Sequence, residues 1–125
     1  MVDPKRADHL ILGPFQGQVA CQTIAFGKGV CGAAAESGKT QLVSDVEEFP
    51  GHIACDANSK SEIVIPILQD GKVRSYEHRL REPNSNEQQV MAIIDIDCAE
   101  LNGFDESDQR ALEELASLIA GACEF

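Results

Sequence analysis

The fold is indicated most clearly by the stretch EIVIPIL at residues 62–68, in which apolar and β-branched side chains follow one another. This composition is typical of a buried strand. Pro66 predicts either an edge position or a bulge, because proline cannot donate a backbone hydrogen bond. A second stretch of the same kind, VMAIIDID, occupies residues 90–97. Together they predict two strands that are able to pair.

Shorter elements surround these two strands. Strands are predicted over residues 9–12, 18–26 and 40–43, and an alanine-rich helix over residues 30–36. A second helix, capped by Asp105, is predicted over residues 106–122, and its apolar residues form one predicted buried stripe of Leu112, Leu115, Ile119 and Cys123. Because strands and helices do not alternate regularly, we expect an α+β domain, an antiparallel sheet with helices packed on one side.

The composition limits the class of protein. The chain has 125 residues, of which 43% are hydrophobic, enough for one domain with a single core. Its formal charge of −11 repels phosphates and anionic lipid, so neither nucleic acid nor a membrane is an expected partner. The first residues lack the apolar stretch of a signal peptide, and no apolar run approaches the roughly 18–20 residues that span a bilayer. We expect a cytoplasmic protein.

Three acidic residues are candidates for chemistry. Asp95 and Asp97 are two residues apart on a predicted strand, so their carboxylates share a face, and Glu62 reaches the same place if the two strands pair. Neighbouring carboxylates repel, and the usual relief is that one keeps its proton near neutral pH. Such an acid is a proton donor for a substrate.

The chain has five cysteines, an odd number that argues against a fully paired disulfide framework. Cys31 lies in the first turn of the first predicted helix, where the helix dipole and nearby Lys28 favour a thiolate. Cys55 lies in a loop close to His52, and Cys21 lies on the predicted strand 18–26. A zinc site of Cys21, Cys31, Cys55 and His52 is an alternative. Cys98 and Cys123 are predicted to be inert core residues.

Several of these segments together resemble a known family, the free methionine-(R)-sulfoxide reductases, which are built on a GAF domain. The segments that carry the resemblance are LGPFQG at 12–17, AC at 20–21, GKGVCG at 27–32, FPGHIACD at 49–56, SEIV at 61–64, DID at 95–97 and FD at 104–105. The resemblance extends from about residue 9 to residue 123.

The resemblance implies a GAF fold, with a central antiparallel sheet flanked by helices, and a free L-methionine (R)-sulfoxide substrate. A cysteine would attack the sulfoxide sulfur, and a second cysteine would close a disulfide that thioredoxin reduces, with no bound cofactor. It favours Cys55 as the nucleophile, with Cys21 or Cys31 resolving, whereas the helix start favours Cys31. Glu62 and Asp97 would polarise the sulfoxide oxygen and Asp95 would bind the substrate ammonium, although the aspartates could exchange roles.

Two segments depart from the family pattern. The family carries more chain before residue 12, so we expect residues 1–125 to form a single GAF domain that lacks the N-terminal helices, the first strand and an aromatic pocket segment. Residues 72–89 form a long, polar predicted loop where a short turn is usual. The alternatives to a reductase are a GAF module that binds or senses a small molecule without turnover, and an inactive fragment. The resemblance also suggests a homodimer.

Overall fold

The computed structural model describes residues 1–18, 20–69 and 88–125. Within them, the chain forms six strands, two helices and one short 3₁₀ turn at Val46–Glu48. The strands are β1 (Val2–Asp3), β2 (Arg6–Ile11), β3 (Thr23–Ala25), β4 (Gln41–Val43), β5 (Ser61–Gln69) and β6 (Gln89–Cys98), and the helices are α1 (Gly29–Ser37) and α2 (Glu106–Ala122).

The strands form two antiparallel sheets of three, ordered β1-β2-β3 and β4-β5-β6. The predicted pairing of the two long apolar stretches is confirmed, since β5 and β6 pair antiparallel along their whole length. The α+β class with antiparallel sheets and two helices is therefore confirmed. The strand predicted over residues 18–26 is shorter, so Cys21 precedes β3. The predicted loop over residues 72–89 lies outside the described residues except at its end, where Gln89 already belongs to β6.

Side chains of β5 alternate between two hydrophobic clusters, one on each face of the sheet. Val64 packs with α1 residues, including Val30 and Ala34. Ile63, Ile65 and Ile67 pack on the other face with α2, and all three are at most 4% exposed. The expectation that both helices pack on one side is wrong, because a strand that is apolar at consecutive positions must bury both faces.

Pro66 fits β5 because its neighbours end there. Strand β4 pairs with β5 only as far as Val64, so Pro66 faces β6 on one side and lies beyond the β4 pairs on the other. The register also shifts between Ile67 and Leu68. Both explanations predicted for this proline, a local edge and a bulge, therefore occur next to it.

Helix α2 begins as predicted but buries a different stripe. The Asp105 side chain accepts from the backbone N–H of Asp108, whose side chain accepts from Asp105 in return. The contacts with the core come from Leu112, Ala116, Ile119 and Ala120. Leu115 and Cys123 are exposed, so their predicted burial is wrong. The small side chain of Ala116 lets the helix lie close to the isoleucines of β5. With Ala116 facing the sheet, the neighbouring Leu115 faces outward. No helix in the described ranges is both long and apolar enough to cross a membrane.

Candidate active site

Three carboxylates meet on the face of the sheet that α1 covers. The register of β5 and β6 sets Glu62 directly opposite Asp97, and Val64 opposite Asp95. Because side chains alternate along a strand, all three acids project to the same side. The predicted convergence of Glu62, Asp95 and Asp97 is confirmed.

Helix α1 brings Cys31 onto these acids. The Cys31 thiol donates to Asp95 Oδ2 at 3.1 Å and lies 3.7 Å from Glu62 Oε1. Helix α1 can lie this close to the end of β3 because residue 32 is a glycine. A Cβ at Gly32 would lie 2.5 Å from the carbonyl oxygen of Ala25. Glycine at this position therefore fixes how deeply Cys31 enters the site.

Two of these acids, Glu62 and Asp95, have pKa values above those of free carboxyl groups. Burial, followed by the charge of Asp95, raises the pKa of Glu62 to about 9. Desolvation also raises the pKa of Asp95, whose side chain faces the open space of the cavity but is surrounded by protein on its other sides. The two carboxyls share a hydrogen bond that raises the pKa of Glu62 and lowers that of Asp95. With a pKa of about 9, Glu62 keeps its proton at neutral pH.

The environment of Cys31 opposes a thiolate. Burial raises the pKa of its thiol, and the neighbouring Asp95 charge raises it further. The prediction that the start of α1 activates Cys31 is wrong, because desolvation and two acids outweigh the helix dipole. Cys31 is a protonated hydrogen-bond donor at neutral pH.

Cys21 and Cys55 form a disulfide that joins two loops. Their Cα atoms are 5.4 Å apart, and 34 positions separate them in the sequence. Cys31, Cys98 and Cys123 are free. The alternative zinc site is not formed, because the sulfurs of Cys21 and Cys55 are bonded to each other and cannot act as thiolate ligands in this state.

The acid cluster with Cys31 and the Cys21–Cys55 disulfide line the same cavity, which has a volume of about 1030 Å³. All six predicted site residues line it: Cys21, Cys31, Cys55, Glu62, Asp95 and Asp97. Its wall also includes Phe15, Ile53, Lys28 and His52. Apolar side chains, acids and the Cys21–Cys55 disulfide thus line one cavity that is large enough for a free amino acid.

One cluster in this cavity has the spacing of a metal site. Ligand atoms of Cys31, Glu62 and Asp95 all lie within 4.8 Å of one another. The raised pKa values of all three groups mean that protons compete with a cation there. Near neutral pH, bound protons therefore disfavour a metal ion at this cluster.

Sequence reasoning missed Ser59, which contacts one of the acids, Asp97, directly. Its hydroxyl donates to Asp97 Oδ1 at 2.7 Å. Ser59 lies in the loop before β5, four residues after Cys55. No pattern in the sequence singles out this serine, since serines are common in exposed loops.

Comparison with known proteins places this architecture in a family. The family model for the GAF domain matches residues 5–123, which include both sheets apart from β1, both helices and all six predicted site residues. The chain belongs to the GAF domain family.

This GAF domain is similar to proteins of known activity. It is 52% identical over 116 residues to the free methionine-R-sulfoxide reductase of Saccharomyces cerevisiae, which covers 93% of this chain and 56% of that protein. An X-ray structure of free methionine-R-sulfoxide reductase from Neisseria meningitidis in complex with its substrate matches with a TM-score of 0.78 and 39% identity, covering 95% of this chain and 61% of that one.

A solved structure described as that of the GAF domain matches with a TM-score of 0.84 and 48% identity, and covers 99% of this chain. The chain spans 61% of that structure's chain. It therefore spans less than two thirds of the length of each of these three relatives.

Proposed function

We propose that this domain reduces free L-methionine (R)-sulfoxide to methionine. The observation that supports this most strongly is the pairing of Cys21 with Cys55 on the wall of a cavity that also holds the three acids. Relatives named for this activity, one of them in complex with its substrate, point to the same substrate. The acids suit its ammonium and its sulfoxide oxygen, and the apolar wall suits its methyl group.

In the proposed cycle, Cys55 is the nucleophile. Its thiolate attacks the sulfoxide sulfur, and the oxygen passes to Cys55 as the sulfoxide is reduced, which releases methionine and leaves a sulfenic acid. The Cys21 thiol then displaces that oxygen as water and forms the disulfide. A dithiol of the thioredoxin type reduces the disulfide, and its own two thiols become oxidised. No bound cofactor takes part.

The acids have two roles in this proposal, protonation of the sulfoxide oxygen and binding of the substrate ammonium. Sulfoxide oxygen leaves only when it is protonated, and Glu62, with a pKa of about 9, has a proton to donate at neutral pH. An ionised aspartate binds the substrate ammonium. Cys31 supports the arrangement by donating to Asp95. Cys31 remains the second candidate for the resolving thiol.

A thiol count tests this proposal against binding without turnover. Reduced protein has five thiols, counted after denaturation. We expect one equivalent of L-methionine (R)-sulfoxide to lower the count to three, because Cys21 and Cys55 oxidise each other. The (S)-sulfoxide is the control and should leave five. A count of five with both epimers contradicts the reductase and favours the sensing module.

We also propose that the domain self-associates as a homodimer through α2. Four side chains at spacings of four, three and four residues form one exposed face of this helix: Ala111, Leu115, Leu118 and Ala122. Leu115 is 44% exposed and Leu118 is 67% exposed. An apolar stripe of this kind is suited to a two-fold contact with its own copy.

Sedimentation velocity over a wide range of concentrations tests the dimer. We expect a concentration-dependent dimer at about 0.15 M salt, where the repulsion between acidic copies is screened. Leu118→Gln should weaken it at least about tenfold, since about 1.4 kcal/mol of apolar burial is a tenfold change. Leu101→Gln, at an exposed leucine outside α2, is the matched control. A monomer at every concentration contradicts the proposal.

A further inference from the structure

Ser59 makes a short, directed contact with the acid cluster. Its hydroxyl lies 2.7 Å from Asp97 Oδ1 and 3.4 Å from the carbonyl oxygen of Ser61. A hydroxyl has one proton to donate, and the shorter, charged acceptor takes it. One oxygen of the Asp97 carboxylate therefore accepts a hydrogen bond from Ser59, which restricts the rotation of this side chain.

The backbone around Ser59 holds the hydroxyl in place. The N–H of Ser59 donates to the carbonyl of Asp56 at 3.2 Å, and the N–H of Asn58 donates to the Asp56 side chain at 2.9 Å. One residue further on, the N–H of Lys60 donates to the carbonyl of Cys98 at 2.8 Å, which ties the loop to the end of β6. Ser59 is thus anchored on both sides.

This contact makes the three acids unequal. Glu62 and Asp95 interact with each other, and each lies within hydrogen-bonding distance of the Cys31 thiol. Asp97 instead receives its donor from a neutral hydroxyl outside the cluster. Asp97 and Asp95 lie two residues apart on one strand, so their backbone positions alone do not distinguish them.

We propose that Ser59 is a positioning residue that holds the Asp97 carboxylate in place to bind the α-ammonium group of the substrate. This inference rests on the proposed function and makes it more specific, because it assigns ammonium binding to Asp97 and leaves Glu62 to the sulfoxide oxygen. Asp97 interacts electrostatically with Glu62, Asp95 and Cys31. Because two further carboxyl groups lie close to Asp97, a positively charged ammonium group is attracted to this position.

The test compares two ligands that are not turned over. L-methionine has the α-ammonium group, and the same molecule without its amino group does not. By titration calorimetry, we expect Ser59→Ala to weaken L-methionine binding about tenfold, as loss of a hydrogen bond to a charged group does. Binding of the deaminated analogue should stay within about twofold. Ser59→Thr keeps the hydroxyl and should restore L-methionine binding.

Thr40→Val is the matched control, because the Thr40 hydroxyl also donates to a carboxylate, Glu113 Oε1, at 2.7 Å, outside the cavity. It should change neither affinity. The inference is overturned if Ser59→Ala weakens both ligands equally, which is a general structural effect, or weakens neither.

Steady-state kinetics separate this inference from the reductase itself. In Ser59→Ala, we expect KM for methionine (R)-sulfoxide to rise about tenfold with kcat within about twofold. An unchanged KM in an active protein overturns only the role of Ser59. If L-methionine binding depends on the Ser59 hydroxyl but the wild-type protein reduces no sulfoxide, the reductase is overturned and the ammonium site is still supported.

Discussion

Replacing Cys55 with serine is expected to lower turnover of methionine (R)-sulfoxide by at least about a thousandfold, because a hydroxyl cannot replace the sulfur that accepts oxygen. The measurement is NADPH consumption coupled through thioredoxin and its reductase. Cys21→Ser should behave differently: with the nucleophile present and its bonding partner absent, each chain reduces one sulfoxide and then stops.

The free cysteines are the controls. Cys98→Ser and Cys123→Ser should retain at least half of the wild-type rate, since both lie outside the disulfide and the acid cluster. Cys31→Ser keeps a donor to Asp95 and both disulfide partners, so we expect more than a tenth of the wild-type rate. An inactive Cys31→Ser, together with single turnover by Cys55→Ser, would identify Cys31 as the nucleophile instead.

Replacing Glu62 with glutamine is expected to lower kcat by about a hundredfold or more, since the amide cannot deliver a proton to the sulfoxide oxygen. The pH profile gives the sharper result. The raised pKa keeps Glu62 protonated at neutral pH, so the donor is present below about pH 9 and is lost as pH rises through that value. Wild-type kcat should therefore fall above about pH 9, and Glu62→Gln should lack this limb.

Glu113→Gln is the control for removing one carboxylate, because Glu113 bonds with Thr40 and Gln109 outside the cavity. Its kcat and its pH profile should match the wild type. If Glu62→Gln keeps the wild-type rate, the proton comes from another group, and Asp95, whose pKa is also raised, becomes the donor to examine.

Much of the site followed from strand periodicity. Two aspartates two residues apart on an apolar strand share a face whatever the rest of the fold does, and Glu62 joined them because its strand pairs with theirs. The alanine-rich helix and the capped start of α2 were equally local features.

The predictions that were wrong, and the contact that was missed, depend on packing between secondary-structure elements. The spacing of α2 allows a buried stripe through either Leu115 or Ala116, and only the distance between helix and sheet selects the alanine. The start of α1 suggests an activated thiol, but burial against two acids reverses the effect on Cys31. Ser59 lies in a loop whose path the sequence does not define, so its contact with Asp97 was not predictable.

Strand β5 has a consequence for which changes the domain tolerates. Glu62 faces the candidate active site, whereas Ile63, Ile65 and Ile67 face the hydrophobic core under α2. Deleting one residue within the strand would exchange the two sets, which points an isoleucine at the substrate and a carboxylate into the packing of α2. Insertions or deletions in the loops around this strand leave that alternation intact. A single insertion or deletion within β5 affects the active site and the core at the same time, so neither can change register without the other.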